Sequence, residues 1–328
     1  MIKVVPIGGT ERAYNTMLNL LKREDIEIPF AIIMPGDERE KVFANKLSKL
    51  CLKHKIEFFI THKITNEILE KVENCHLDLI LGVGVWRSFV TERFFKAPSY
   101  GYLGLHGTKL PNYRGFAGIN WQIINGSKKI ETSVFKVASG VDNGPLVANK
   151  DREVLKYSID LQNDDHLEDI FKKYEKVHIE ACNTILDLVS RREIIFVEQN
   201  ETEATHSCHR GPEDGEINWN LNSEQVFNFI RAQSRPYLGA YTYFNGERVH
   251  IHRARVVKDL RSFVGRIPGK VVERNEFNDR VKILTKDSGI EISEITLNLK
   301  SAKPYDVFNS IREKCKTKVE ALSDKLML

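Results

Sequence analysis

Apolar and polar positions change rhythm once along the chain. In the first half, short apolar runs alternate with amphipathic stretches of helical period. Ile2–Ile7 is rich in β-branched residues and ends in Gly8-Gly9-Thr10, after which Glu11–Lys22 has the spacing of a helix. Glu27–Met34 is a second run, stopped by Pro35-Gly36-Asp37. A charged segment, Arg39–His54, follows with Val42, Phe43, Leu47 and Leu50 on one helical face. Glu57–Ile60 is a short strand and Asn66–Val72 a helix. Leu77–Val85 is apolar almost without interruption, as a central parallel strand covered on both faces must be. Strands alternating with helices in this way predict a doubly wound, mostly parallel α/β sheet. Gly8-Gly9-Thr10 is not GxGxxG, so the dinucleotide fingerprint is absent; it is either a tight turn or a ligand contact.

A long amphipathic segment, Leu167–Arg191, leads into the charged link Arg192–Glu203. After Ala204 the rhythm becomes that of short strands. Ser223–Gln233 is a helix, capped by Ser223, with Val226, Phe227 and Ile230 on its apolar face. Gly239–Phe244, Arg248–Val257, Gly265–Glu273, Arg280–Thr285 and Ile290–Thr296 then read as strands between Asn-Gly, Pro-Gly and Asp-Ser-Gly turns. That predicts a small barrel or open sheet. The tail, Pro304–Leu328, places Phe308, Ile311, Cys315, Val319, Leu322 and Leu326 on one helical stripe, for packing on the body or for a homodimer contact. The expected division is residues 1–200, 204–300 and a helical tail at 301–328.

Composition narrows the possibilities. A 41% hydrophobic chain of 328 residues can bury a large core, and its net charge of +4 is too small to mark a nucleic-acid binder. Five cysteines without a CxxC pair suit a reducing, cytoplasmic setting better than a disulfide framework. His206, Cys208 and His209 lie close in sequence, but no second cluster completes a metal site, and none is expected. No stretch reaches the roughly 18 apolar residues of a membrane span, and the first residues have no signal-peptide core.

Candidate chemistry gathers in Gly101–Val147. His106 follows the apolar Tyr102–Leu105, where a strand should end, and Asp142 lies in a Ser-Gly-Val-Asp-Asn-Gly turn after another strand. Polar groups at the ends of neighbouring strands in an α/β sheet converge on the ligand crevice, where an Asp can orient a His and favour its charged form. A structural His and a turn Asp are the plainer reading of the same residues.

The stretch Gly104-Leu105-His106-Gly107-Thr108-Lys109-Leu110-Pro111-Asn112-Tyr113-Arg114-Gly115, then Trp121-Gln122-Ile123-Ile124-Asn125-Gly126 and Asp142-Asn143-Gly144, closely resembles the signature of the folate-dependent formyltransferases. Pro212–Trp219, Arg231-Ala232 and Arg235–Tyr241 extend the resemblance into the second half, so it runs from Gly8 to about Thr296. The resemblance implies a Rossmann-like domain followed by an OB-like one, with N10-formyltetrahydrofolate as formyl donor. It implies His106 and Asp142 as the catalytic pair. The folate would be held by loops containing Gly84, Trp86 and Arg87 on one side and Val137 and Gly140 on the other. Thr10, Thr108, Asn112, Tyr113 and Arg114 can line an acceptor groove, although Arg114 can equally clamp a tight turn. The family's catalytic Asn falls on Gly104 here. That side chain donates to the developing oxyanion, and losing one such donor typically costs a factor of about 100 to 1,000. A backbone amide, a water or a nearby polar residue such as Asn120 can stand in.

Among acceptors, the resemblance is strongest to the sugar N-formyltransferases, which implies a nucleotide-linked amino-deoxysugar, thymidine-linked, of the kind used in lipopolysaccharide O-antigens. Methionyl-tRNA formyltransferase is the second reading. Its basic loop after the second strand corresponds here to the short, acid-rich 35–40, so nucleic acid is disfavoured. A folate binder that has lost turnover through Gly104 is the third.

Overall fold

The computed structural model describes residues 1–35, 41–84, 90–258, 260 and 262–327. The acid-rich loop after the second strand falls mostly on 36–40, outside these residues, as do Trp86 and Arg87. The chain forms two compact units. One comprises Met1–Gly115, Glu131–Ile159 and Lys173–His206; the other comprises Phe116–Ile130, Asp160–Lys172 and Ser207–Leu328.

The first unit is built on a mixed sheet. Five strands are parallel in the order Gly101–His106, Leu79–Gly82, Ile2–Gly8, Phe30–Ile33, Glu57–Ile60. Lys129–Lys136, Leu146–Ala148 and Ile195–Val197 extend it antiparallel from the Gly101–His106 edge. The nearly continuous apolar runs have a simple cause. Val4, Leu79, Leu81 and Leu103 feed the core on one face, while Val5, Ile7, Ile80 and Tyr102 feed the core on the other. Successive side chains of a strand leave on opposite sides, so a strand covered twice must be apolar throughout. Strand order reverses between Ile2–Gly8 and Leu79–Gly82, the switch point beyond whose strand ends ligands bind in such sheets. There the backbones come close. A Cβ on Gly9 would lie 1.9 Å from the Met34 carbonyl oxygen, and one on Gly8 would lie 2.8 Å from the Gly84 nitrogen. Close approach alone accounts for both glycines.

The second unit carries an antiparallel sheet in the order Ala240–Phe244, Glu247–Val256, Gly289–Leu297, Arg280–Leu284, Val271–Asn275, with Lys300–Ala302 added to Gly289–Leu297. The helix Ser223–Arg231 packs Val226, Phe227 and Ile230 into the core with Val249, Ile251 and Ile292. Its cap is Asn222, not Ser223. The Asn222 side chain accepts from the Gln225 amide at 2.9 Å while Gln225 reaches back at 3.2 Å, and Ser223 gives its amide to Asp287 at 2.7 Å.

The helix Gly118–Ile124 packs on the Ser223–Arg231 helix, its Asn120 amide donating to the Ala232 carbonyl at 2.6 Å. Two expectations change. The strand expected from Gly265 begins only at Val271, because Gly265 and Gly269 take positive φ and Pro268 offers no donor. The tail is not one helix. After a short helix, Pro304–Val307, the chain runs extended, Lys314 bridging to Lys270 and Lys316 to Tyr243; helix resumes at Lys318–Met327. Phe308 and Cys315 are buried, but Ile311, Val319 and Leu322 are exposed, since strand-like pairing breaks the helical stripe.

Candidate functional site

The strand Gly101–His106 runs antiparallel to Lys129–Lys136 with Leu105 opposite Val134 and His106 opposite Ser133. This pairing fixes the end of the strand and hence His106. Thr132 adds a side-chain bond, its hydroxyl donating to the His106 carbonyl at 2.5 Å. Beyond His106 the chain folds into a compact turn. The Thr108 hydroxyl donates to the Asn112 carbonyl at 2.7 Å, Leu110 donates to the Ser133 hydroxyl at 3.0 Å, and Leu110-Pro111 is cis. Tyr113 takes φ 57°. Its carbonyl oxygen lies 2.9 Å from His106 Nε2.

Asp142, itself at φ 48°, closes the site from the other side. His106 Nδ1 lies 3.4 Å from Asp142 Oδ2. The same carboxylate oxygen accepts from the Gly115 amide at 2.8 Å. Both ring nitrogens therefore face acceptors, a carbonyl on one side and a carboxylate on the other. A carbonyl oxygen can only accept, so the ring meets Tyr113 through Nε2–H, and the Asp142 carboxylate faces the other nitrogen.

The turn is locked by a buried arginine. Arg114 is 3% exposed; its Nε and Nη2 donate to Gln199 Oε1 at 3.1 and 2.8 Å, and Nη1 and Nη2 to the Glu201 carboxylate at 2.9 and 2.6 Å. That carboxylate holds the guanidinium pKa above its ordinary value, and Glu201 is held below its own by the same bonds. Gln199 Nε2 in turn donates to the carbonyls of Asp142 at 2.8 Å and Gly144 at 2.6 Å. One side chain thus ties the Arg114 turn to the Asp142 turn.

The other residues singled out in the sequence lie as follows. Thr108 is buried with its hydroxyl spent inside the turn, and Arg114 is spent on Gln199 and Glu201. Asn112 and Tyr113 are half-buried in that turn. Thr10 precedes the Glu11–Leu20 helix, and its buried Oγ1 has no hydrogen-bond partner among the described residues. Gly84 sits against it, since a Cβ there would lie 3.0 Å from that oxygen. Val137 gives its amide to the Tyr102 carbonyl at 2.8 Å, and Gly140 is exposed beside Asn143. Gly104 is buried opposite Phe135, and a Cβ added to it would meet only the Phe135 ring within 4 Å, at 3.8 Å. Asn120, the candidate substitute donor, is already committed to Ala232.

Gln199, Glu201 and Thr132 were not signalled by the sequence. Gln199 is 57 residues from Asp142 and 85 from Arg114, and a lone Gln in a charged link has no pattern to distinguish it.

A family model described as formyl transferase matches residues 3–180, and one described as formyl transferase, C-terminal domain, matches 211–312. The bifunctional polymyxin resistance protein ArnA of Wigglesworthia glossinidia brevipalpis is 27% identical over 237 residues, covering 72% of this chain and 34% of that protein. Methionyl-tRNA formyltransferase of Clostridium acetobutylicum is 26% identical over 301 residues, covering 90% of this chain and 92% of that one. The chain therefore spans about a third of the first relative and nearly all of the second. Among solved structures, the sugar 3N-formyl transferase WlaRD, crystallised with dTDP and 5-N-formyl-THF, superimposes with a TM-score of 0.64 at 17% identity, covering 92% of this chain and 99% of that one; at that identity it speaks for the fold.

Proposed function

The chain belongs to the formyl transferase family, and on that premise we propose that it moves a formyl group from N10-formyltetrahydrofolate to the amino group of a nucleotide-linked amino-deoxysugar. The observation that carries this reading is the His106–Asp142 pair at a strand end of the sheet, braced by the Arg114 turn. Two features fit a polar cofactor there. Thr10 Oγ1 is a buried hydroxyl without a partner among the described residues, close to Gly84, and Gly104 leaves room at the His106 strand that a side chain would fill. Gly84, Val137 and Gly140 would hold the folate, with Trp86 and Arg87 contributing from outside the described residues. When bound, the folate supplies an activated one-carbon acyl group.

His106 holds a proton at Nε2 against the Tyr113 carbonyl, and Asp142 stabilises the ring when it is charged. The ring can give that proton to a leaving nitrogen or to an oxyanion, and afterwards recover one from the incoming amine. Asp142 keeps its aim because the Gly115 amide and, through its backbone, Gln199 hold it. Asn112, Tyr113 and Thr10 border the acceptor side, while Thr108 and Arg114 act through the turn they hold. Three buried free thiols, Cys51, Cys182 and Cys315, suit a cytoplasmic reaction.

The similarity to WlaRD, a sugar 3N-formyl transferase crystallised with dTDP, favours a sugar nucleotide. The end-to-end match to methionyl-tRNA formyltransferase favours charged initiator tRNA as the second reading. A formylation screen decides between them: purified protein, formyl-tetrahydrofolate, a panel of thymidine-linked amino sugars, and the aminoacylated tRNA. Mass gain on a sugar nucleotide is the expected result. Gain on the tRNA alone would replace the proposal. Folate binding without gain on any acceptor, with turnover restored by Gly104→Asn, would make the chain a disarmed relative.

A further inference from the structure

The second unit contains a cleft of about 580 Å³ lined only by that unit's residues. Its walls are the segment 161–164, one face of the Ser223–Arg231 helix from Glu224 to Arg231, the Glu247–Val256 strand where it runs on into Lys258, and Lys282 and Glu291 of the neighbouring strands. Clefts of roughly 300–1,000 Å³ are the size that takes small molecules. Among the described residues five cations line it: Lys128, Arg231, Arg255, Lys258 and Lys282. Against them stand Asp164, Glu224 and Glu291. Glu291 is already matched, by Arg255 at 2.7 Å and by Arg280, outside the lining, also at 2.7 Å. Lys282 is matched by Glu273, outside the lining as well, at 2.7 Å.

Arg231 is the unusual member. It is 6% exposed, its guanidinium lies 4.9 Å from the Phe227 ring centre, and it donates from Nε to Asn228 Oδ1 at 2.9 Å and from Nη1 to the Gln162 carbonyl at 3.4 Å. These acceptors are neutral. Burial pushes its pKa below the ordinary arginine value, and the nearby carboxylates of Glu224 and Asp165 oppose that shift. A buried charge that lacks a bonded counter-charge is costly, and an anion entering from the open side would offset that cost.

We propose that this cleft is a second ligand site, for a small organic phosphate, with the phosphate against Arg231 and the organic part along Leu161 and Val256. Cations approach from four separate segments, and a phosphate has oxygens enough to accept from several of them at once. The site stands independently of the formyl-transfer reading, because none of its residues belongs to the His106 region.

Lysine footprinting tests it. The whole protein is acetylated at constant ionic strength with adenosine diphosphate, with inorganic pyrophosphate, or with neither, and the reactivity of each lysine is read by mass spectrometry. Lys128 and Lys258 should be protected severalfold by adenosine diphosphate, at least as well as by pyrophosphate, while exposed Lys22 and Lys53 in the other unit stay unchanged. Arg231→Gln should abolish the protection. Because that buried change can impair folding, Lys128→Ser with Lys258→Ser, both at exposed positions, should weaken binding about tenfold by calorimetry without altering the thermal melt. No protection at millimolar ligand, equal protection of all exposed lysines, or unchanged affinity in the double variant would each overturn the proposal.

Discussion

His106 is gripped at three points: its carbonyl by Thr132, Nε2 by the Tyr113 carbonyl, and Nδ1 by Asp142. His106→Asn keeps a polar side chain of lesser volume at a half-buried position, so folding should survive while formylation falls by orders of magnitude. If more than about a tenth of the activity remained, a barrier change under roughly 1.4 kcal/mol, the catalytic assignment would be wrong. His106, Asp142 and the Leu110–Gly115 turn stood out in the chain through the motif resemblance they carry, not through spacing alone. Their brace could not. Arg114 offered two readings in the sequence, and only the positions of Gln199 and Glu201 show where its guanidinium is spent.

Among elements, the helices and strands followed their periodicities, and they departed from them where a backbone constraint intervened. Gly269 is such a point. Its φ is +85°, and a Cβ there would lie 2.7 Å from the Cys315 carbonyl, where the tail runs alongside and Cys315 donates to the Gly269 carbonyl at 2.8 Å. Gly269→Ala should therefore destabilise the protein by about 1–3 kcal/mol, since the positive φ and the lost clearance act together. Urea midpoints of the two proteins compare this directly, and an unchanged midpoint would mean that the tail gives way freely. The same pairing explains why the helical stripe of the tail was misleading. Phe308 and Cys315 are buried because they seal the core, a reason that periodicity does not encode.

For the molecule as a whole, burial sets the pH response. His252 is 3% exposed and its pKa falls from 6.5 to about 4, chiefly through burial; His166, His178 and His250 are lowered for the same first reason. For a lowered histidine, the unfolded chain takes up the proton first. The stability is then complete above about 6.5 and is lost as pH falls toward 4. Denaturant midpoints should thus drop between pH 7 and pH 5, each such histidine contributing up to about 1.4 kcal/mol per pH unit, and His252→Gln should make the slope shallower. A midpoint that stays level over that interval would show that the buried rings do not control acid stability. The sequence by itself determined the alternation that makes the mostly parallel sheet, the later antiparallel one, and the His106–Asp142 spacing, because period and motif are local properties of the chain. Tertiary structure alone decided that two compact units are each assembled from three separated segments, that Gln199 ties two turns together, and that five cations share one cleft. Those outcomes depend on which distant segments meet, and side-chain hydrogen bonds and charge clusters between them leave no period in the sequence that precedes them.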